Sequence, residues 1–281
     1  MPPRTRRVNK SAIIMAVPSV FFLLLSVFGF STSVQATAAC NTSYSASNFT
    51  RGGVATDSSG TITLTPNSGS QFGAIWNKSR VNLSNDFCVS AEVYLGANDY
   101  GADGLAFVMQ PNSVAAGDSG GGLGYAGITP SFAVEYDTYY NNGDLYNDHV
   151  GLMKNGNVVS YNLWGVNAVD VGNIEDNQWR KTKIYWNSTT NAVSVWLDKN
   201  ADGDLDDAGE TLFDAASANL EGNFSGEVYW GFTAATGGAA NLQQVRNIAY
   251  TGVARVNTPP TASTEPVLNN SIIINQATSC K

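Results

Sequence analysis

The sequence predicts an all-β fold, an antiparallel β-sandwich or jelly roll. From residue 44 to 252, short runs rich in β-branched and aromatic residues are separated by turns of Gly, Asn, Ser and Asp. Several runs alternate with a period of two, as strands do. No long stretch shows helical periodicity. Together these observations favour an antiparallel sandwich over folds that contain long helices.

The strand pattern occupies most of the chain. The predicted strands lie at residues 61–65, 87–95, 105–109, 181–186, 192–197 and 228–233, and residues 132–139 form a further alternating segment. About 240 residues remain after an N-terminal leader, enough for one large β domain or two small ones. We expect one domain over 40–252. Residues 253–281 contain Pro259-Pro260 and many Thr, Ser and Asn, which predicts a linker or disordered tail.

Residues 1–39 are predicted to be a signal peptide that is removed on export. Basic residues near the start precede an apolar stretch over 12–30, and small residues at 36–38 offer a cleavage site. The apolar stretch is just long enough to span a bilayer, but Pro18 and the cleavage site favour removal. Residues 37–40 weakly resemble a lipoprotein box, which lies too far from the apolar stretch to be favoured. The sequence therefore predicts a secreted or cell-surface protein.

The composition also bounds the partners. The formal net charge is −8, and loss of the basic leader makes the mature chain more acidic. Nucleic acid is excluded as a partner because its binding needs a basic face. Exported cysteines tend to pair. We favour a disulfide between Cys40 and Cys88, which flank the first strands, and leave Cys280 free or intermolecular, although three pairings are open.

The only histidine, His149, closes a run of oxygen-bearing side chains. Alternation over 132–139 places Glu135, Asp137 and Tyr139 on one strand face, where two carboxylates repel each other unless a cation or proton neutralises them. Hard oxygens suit calcium, and one imidazole among carboxylates suits manganese, zinc or another transition ion. A solvated acidic hairpin with a surface histidine explains the same spacing. The candidate metal ligands are Glu135, Asp137, Tyr139, Asn141, Asp144 and His149.

Five motifs in order resemble the legume-type (L-type) lectins, in particular exported microbial members. They occupy residues 102–107, 120–124, 134–141, 149–152 and 231–238. The resemblance covers about 44–252 and implies a jelly-roll sandwich of concanavalin or legume-lectin type, in agreement with the strand pattern.

The resemblance implies two adjacent ions, calcium and a transition ion that is usually manganese. Glu135, Asp137, Asp144 and His149 would hold the transition ion. The calcium ligands would be Asp137, Asp144, Asn141 and the carbonyl of Tyr139. The two shared aspartates turn carboxylate repulsion into a reason for binding. After the histidine, residues 153–156 lack a serine that many members have, which removes a partner around the transition ion.

The resemblance also implies a carbohydrate site. Asp103, preceded by a cis peptide bond, would accept two sugar hydroxyls through charge-assisted hydrogen bonds. Asn141 would donate its amide, Gly121 a backbone N–H, and Tyr139 would stack on the sugar. Residues 236–243 would form the variable loop that sets sugar preference. The implied carbohydrate-binding residues are Asp103, Gly121, Tyr139, Asn141, Gly238 and Ala239.

A second acidic segment resembles a calcium loop. Its first, third and fifth positions are oxygen ligands and its sixth is Gly203. The twelfth position, where a bidentate acid is expected, is Gly209, one residue before the acid. A solvated hairpin turn explains the segment equally well. The candidate ligands are Asp198, Asn200, Asp202, Asp204 and Glu210.

The function predicted from these features is metal-dependent binding of glycans or glycoconjugates without catalysis; an edge-to-edge homodimer is left open. A retaining glycoside hydrolase on the same sandwich needs two carboxylates about 5 Å apart, and Tyr139 and Tyr140 stand where the second would be expected. A surface adhesion module with a decayed sugar site is a third interpretation. The retention of Asp103, Gly121 and Asn141 argues against decay.

Overall fold

The computed structural model describes residues 39–114, 119–159, 164–224 and 226–253. These residues form strands with one short helix, α1 (Leu220–Asn223), and 3-10 turns at Ala46–Asn48 and Gly120–Gly122. The strands are β1 (Thr42–Ser43), β2 (Phe49–Gly53), β3 (Thr56–Ser58), β4 (Thr61–Thr65), β5 (Phe72–Asn77), β6 (Val81–Asn82), β7 (Asp86–Tyr94), β8 (Gly104–Gln110), β9 (Phe132–Asp137), β10 (His149–Lys154), β11 (Val169–Asp170), β12 (Trp179–Asn187), β13 (Ala192–Leu197), β14 (Thr211–Ser217), β15 (Glu227–Ala235) and β16 (Gln243–Val253).

Two antiparallel sheets make up the sandwich. The first has the order β14-β13-β12-β7-β16-β4-β3, with β1 also paired to β16. The second has the order β11-β10-β9-β8-β15-β5-β2, with β6 also paired to β15. Neighbours in space are often distant in the chain, as in a jelly roll. The predicted all-β antiparallel sandwich is confirmed.

Apolar side chains from both sheets form the main core. It includes the fully buried Phe107, Val134 and Tyr136 from the second sheet and Val89 and Trp186 from the first. The hydroxyl groups of Tyr136 and Thr182 are hydrogen-bonded to each other across the sandwich. Successive residues of a strand point to opposite faces of the sheet. Since Val134 and Tyr136 of β9 point into the main core, Glu135 lies on the other face of the second sheet.

A smaller apolar cluster covers that opposite face. Trp76, Ala106 and Met153 on the strands pack against Leu123 and Tyr125 from the loop after residue 119. This loop carries the glycine-rich motif. It therefore lies over the face on which the candidate ligands stand.

The predicted strands all occur, with ends that differ by at most two residues from the expected ones. The alternating segment is shorter than expected because β9 ends at Asp137, which leaves Tyr139 in the following loop. The predicted disulfide between Cys40 and Cys88 is present, with a Cα–Cα distance of 5.2 Å. The last strand reaches Val253; the rest of the predicted tail, Cys280, and nearly all of the predicted signal peptide lie outside the described residues. Within the described ranges, no helix is long and apolar enough to cross a membrane.

Candidate metal and carbohydrate site

The register of two neighbouring strands, β9 and β10, brings candidate ligands together. In the β9–β10 pair, Asp137 lies opposite His149 and Glu135 lies opposite Gly151. One ligand atom from each of Glu135, Asp137 and His149 lies within 4.8 Å of the others. A Cβ at Gly151 would come within 3.1 Å of the Glu135 Oε1 atom, so glycine leaves room for the carboxylate.

These three side chains are buried, which excludes the solvated hairpin as their explanation. Glu135 and Asp137 are each 1% exposed and His149 is 2% exposed. Burial and the neighbouring Asp137 raise the pKa of Glu135, and burial raises the pKa of Asp137. Burial lowers the pKa of His149. Since burial disfavours both carboxylate charges and the imidazolium, this donor set fits a cation with oxygen and nitrogen ligands.

Neighbouring groups orient two of the candidate ligands, Glu135 and His149. The Tyr125 hydroxyl donates to the Glu135 Oε2 atom at 2.6 Å. The His149 Nδ1 atom lies 3.1 Å from the backbone oxygen of Asn147. If Nδ1 carries the proton and donates to that oxygen, Nε2 keeps its lone pair on the side of Glu135, 4.0 Å from Oε1. Sequence reasoning missed Tyr125, although this tyrosine directly follows the glycine-rich motif.

The remaining candidate ligands lie in the loop after β9. Asp144 is half-buried and does not belong to the three-residue group; its Oδ2 atom accepts the Asn141 backbone N–H at 3.2 Å. The Asn141 amide donates to the Tyr139 carbonyl at 3.2 Å. The expected calcium-binding role needs that amide rotated so that its oxygen lies beside the carbonyl. Two oxygens facing each other repel unless a cation lies between them.

Asp103 lies next to this group. Its backbone oxygen accepts the Thr138 N–H at 3.1 Å, directly after the last residue of β9. The peptide bond between Ala102 and Asp103 is cis. Asp103 is 4% exposed, and its Oδ2 atom has no hydrogen-bond partner among the described residues. Burial raises the pKa of this carboxyl to about 6, opposed by the Gly237 backbone N–H.

Glycines keep the space around Asp103 and Asn141 open. A Cβ at Gly121 would lie 3.0 Å from the Asn141 Nδ2 atom, and a Cβ at Gly237 would lie 3.3 Å from the Asp103 Oδ2 atom. The same Cβ at Gly237 would lie 3.6 Å from the Gly120 Cα atom. The predicted variable loop and the glycine-rich turn therefore meet at Asp103, and sequence reasoning missed Gly237.

The other sugar-site predictions lie at the margin. Gly238 is exposed, with no heavy atom within 4 Å of a Cβ placed there. Ala239 is half-buried and lines a cleft beside Tyr139. Sequence reasoning also missed Asn241 and Gln243, whose backbone N–H and side-chain amide respectively donate to the Ala102 carbonyl at 3.1 and 2.8 Å.

The second acidic segment, residues 198–210, forms a loop that brings three of its carboxylates together. Asp198 and Glu210 are buried, and each offers a carboxylate oxygen within 4.8 Å of the other and of Asp202. Glu210 joins the group although it follows the twelfth position by one residue. The amide oxygen of Asn200, its predicted ligand atom, accepts the Asp202 N–H at 3.1 Å, and its Nδ2 atom donates to Asp202 and Asp207 at 2.9 and 2.6 Å. Asp204 is exposed and its Oδ1 atom accepts the Asp206 N–H.

The chain is similar to known bacterial and plant proteins. It is 30% identical over 213 residues, 67% of this chain, to the serine-rich adhesin for platelets of Staphylococcus aureus (strain MRSA252), of which it spans 15%. It is 40% identical over 96 residues, 33% of this chain, to the pesticidal crystal protein Cry22Aa of Bacillus thuringiensis, of which it spans 13%. The chain thus spans a minor part of these relatives.

The fold also matches solved structures. The basic winged bean lectin with Tn-antigen superposes with a TM-score of 0.62 at 21% identity, over 73% of this chain and 92% of the lectin. Residues 40–249 match the family described as the legume lectin beta-barrel domain. The chain therefore belongs to the legume-type (L-type) lectin domain family.

Proposed function

We propose that this chain is a non-catalytic, metal-dependent lectin that binds glycans or glycoconjugates outside the cell. The observation that carries the proposal is the buried Asp103 carboxylate, whose Oδ2 atom has no hydrogen-bond partner among the described residues. A buried polar group without a partner is costly. A sugar hydroxyl that donates to Oδ2 would supply the missing hydrogen bond, and the charge on the acceptor would strengthen it.

The surrounding groups support this role for Asp103. Glycine at positions 121 and 237 leaves the approach to the carboxylate and to Asn141 free of side chains. The amide of Asn141 offers a donor once it is rotated away from the Tyr139 carbonyl. Tyr139, which is 44% exposed, offers a ring face against which the apolar face of a sugar can pack. Gly238 and Ala239 complete the proposed rim.

Glu135, Asp137, Asp144 and His149 would hold a transition ion such as manganese, and Asp137, Asn141, Asp144 and the Tyr139 carbonyl would hold calcium. When bound, the ions would supply positive charge that offsets the burial of the carboxylates. The Oδ2 atom of Asp137 supports this assignment, because it is buried without a hydrogen-bond partner among the described residues. The backbone link from Thr138 to Asp103 couples the metal ligands to the sugar site.

The burial of the carboxylate pair disfavours the glycoside hydrolase alternative. Glu135 and Asp137 have oxygens within 4.8 Å of each other, near the spacing of a retaining pair. Both belong to the buried group with His149, and the Tyr125 hydroxyl already donates to Glu135, so the pair is arranged as a ligand set and not around a glycosidic bond. Tyr139 and Tyr140 also stand where the second carboxylate of a retaining pair would be expected.

The relatives favour adhesion as the setting for this binding. The Staphylococcus aureus relative is named as an adhesin, and the disulfide fits an oxidising, extracellular compartment. We therefore propose export by a cleaved signal peptide over 1–39, a lectin domain over 40–252 and a tail over 253–281. Sedimentation equilibrium would test the edge-to-edge homodimer that the sequence leaves open.

A glycan array tests the proposal. The protein is applied with calcium and manganese, after exhaustive chelation, and after the ions are restored, with metal content measured by mass spectrometry. We expect binding with the ions, loss after chelation, and recovery. Binding that persists at zero metal content would contradict metal dependence. Sugar release from the bound glycans, followed by chromatography, would contradict the absence of catalysis.

A matched pair of variants controls for indirect effects. His149→Ala removes the imidazole ligand and is expected to lose the transition ion and glycan binding together. Asn82→Ala replaces an exposed residue of β6, a strand that pairs with β15 and with neither β9 nor β10, and should change neither metal content nor glycan binding. Equal binding by the two variants would contradict the assignment of His149.

A further inference from the structure

A cleft adjoins the proposed sugar site. Its volume is about 680 Å³, within the range of roughly 300–1,000 Å³ typical of small-ligand sites and larger than one sugar ring. Tyr139 and Ala239, both named in the proposed site, line it together with Tyr100, Tyr146 and Asn173, which do not belong to that site. A ligand held at Asp103 could therefore continue into this cleft.

The cleft collects the exposed aromatic side chains of the domain. Among the described residues, the exposed tyrosines are Tyr100, Tyr139, Tyr140 and Tyr146, and all four line the cleft. Tyr100 and Tyr146 are 83% and 81% exposed. The Tyr140 and Tyr146 rings lie 5.6 Å apart with an interplanar angle of 46°. Tyrosine combines a large apolar face with a polar hydroxyl, which matches the two faces of a sugar ring.

The polar side chains of the cleft determine which ligand charge it favours. Asp99 and Asp148 both line it, and none of the lining residues is Lys or Arg. The neighbouring Asp170 accepts a hydrogen bond from the Asn147 amide at 2.7 Å, which adds further negative charge at this end. Carboxylates accept hydrogen bonds from sugar hydroxyls but repel another carboxylate or a sulfate.

From these contacts we propose that the cleft is a second sugar subsite, which takes a neutral sugar unit of an oligosaccharide and disfavours anionic glycans. The proposal rests on the proposed lectin function and extends it from single sugars to chains. Tyr140 and Tyr146 pack against the second sugar, and Asp99 and Asp148 accept its hydroxyls. The first sugar remains at Asp103.

The test compares chain length and charge. An array carries neutral glycans ending in galactose, N-acetylgalactosamine, glucose, mannose or fucose, and the same glycans with an added sialic acid, sulfate or uronic acid. The strongest neutral glycan and the methyl glycoside of its terminal sugar are then titrated by calorimetry. We expect the oligosaccharide to bind about tenfold more tightly, which corresponds to about 1.4 kcal/mol, and the anionic versions to bind more weakly than the neutral ones.

Variants at Tyr146 test whether the higher affinity for the oligosaccharide comes from the cleft. Tyr146→Ala should remove most of the advantage of the oligosaccharide and change the affinity for the methyl glycoside less than twofold. Tyr146→Phe keeps the ring and should keep the advantage. At 81% exposure, neither substitution threatens the fold. Asp99→Asn should narrow the difference between neutral and anionic glycans.

The outcomes separate this proposal from the function on which it rests. An array on which the unaltered protein binds nothing overturns the lectin function itself. Equal affinity for the methyl glycoside and the oligosaccharide, or an unchanged advantage in Tyr146→Ala, overturns the subsite alone. Tighter binding of the anionic glycans overturns the charge preference.

Discussion

Asp103→Ala should abolish glycan binding without disturbing the fold. The structural roles of Asp103 belong to its backbone, since its N–H donates to the Ala235 carbonyl and its own carbonyl accepts the Thr138 N–H. Alanine can make both bonds. The side chain, by contrast, is buried, and its Oδ2 atom has no hydrogen-bond partner among the described residues. Its removal therefore takes a partner only from the Gly237 backbone N–H.

The magnitude follows from the number of hydrogen bonds that the carboxylate would make. A site that binds a single sugar with a Kd near ~1 mM has only about 4 kcal/mol of binding free energy. A hydrogen bond to a charged group contributes about 1.5–3 kcal/mol. Loss of two such bonds at Asp103 would therefore bring the affinity for a single sugar below detection.

The assay is calorimetry with a sugar that the parent binds, alongside metal analysis and thermal unfolding. Metal content and Tm should stay within error of the parent, because Glu135, Asp137 and His149 are untouched. Asp103→Asn is the matched control, since it keeps the shape of the side chain but loses the charge, and should bind weakly or not at all. Parental affinity in Asp103→Ala would refute a sugar site at this position.

Three further changes probe the surrounding chemistry. Tyr125→Phe removes the hydroxyl that donates to Glu135 and should weaken transition-ion affinity several-fold in competition with a chelating dye; unchanged affinity would show that this bond does not orient the ligand. Asp202→Ala should lower the calcium count and the Tm while sparing glycan binding, and an unchanged count would mean that the loop at 198–210 is only a turn. Burial, then the neighbouring Asp148, raises the pKa of Glu175 to about 8, so the folded protein keeps a proton that the unfolded chain releases, and stability falls as pH rises from about 4.5 to 8. Even half of that shift corresponds to about 2 kcal/mol, so Glu175→Gln should gain stability relative to the parent between pH 5 and pH 9 in urea unfolding, whereas the exposed Glu227→Gln should not; a constant difference between Glu175→Gln and the parent would contradict the pKa.

The sequence could predict the strands and the three buried candidate ligands because their spacing reflects local geometry. Alternation in β9 puts Glu135 and Asp137 on one face whatever surrounds them. The single histidine then needed only an antiparallel partner strand to reach them, and the observed register places it opposite Asp137. The end of β9 could not be predicted in this way, because the alternating sequence pattern continues through Tyr139 although the strand pairing ends at Asp137.

Loops could not be predicted in the same way. The cleft joins Tyr100, Tyr146, Asn173 and Ala239 from four separate loops, and no spacing in the chain relates them. Spacing was also misleading at Glu210, where counting along an ideal calcium loop placed the acid one residue late, while the folded loop brings its carboxylate to Asp198 and Asp202. A loop can absorb one extra residue because it has no ladder to keep in register.

The arrangement of buried groups explains why a metal and a sugar site would share one end of the sandwich. Glu135, Asp137 and Asp103 are all carboxylates whose pKa is raised by burial, and burying three acids close together opposes folding unless positive charge or hydrogen bonds compensate. Two of the three belong to the group with His149, which a cation would neutralise. Asp103 is left for a neutral hydrogen-bond donor, and its backbone bond to Thr138 ties its position to the strand that carries the candidate metal ligands. Loss of the cation would therefore disturb β9 first and Asp103 next, which is the physical basis for expecting glycan binding to depend on metal although the sugar need not touch it.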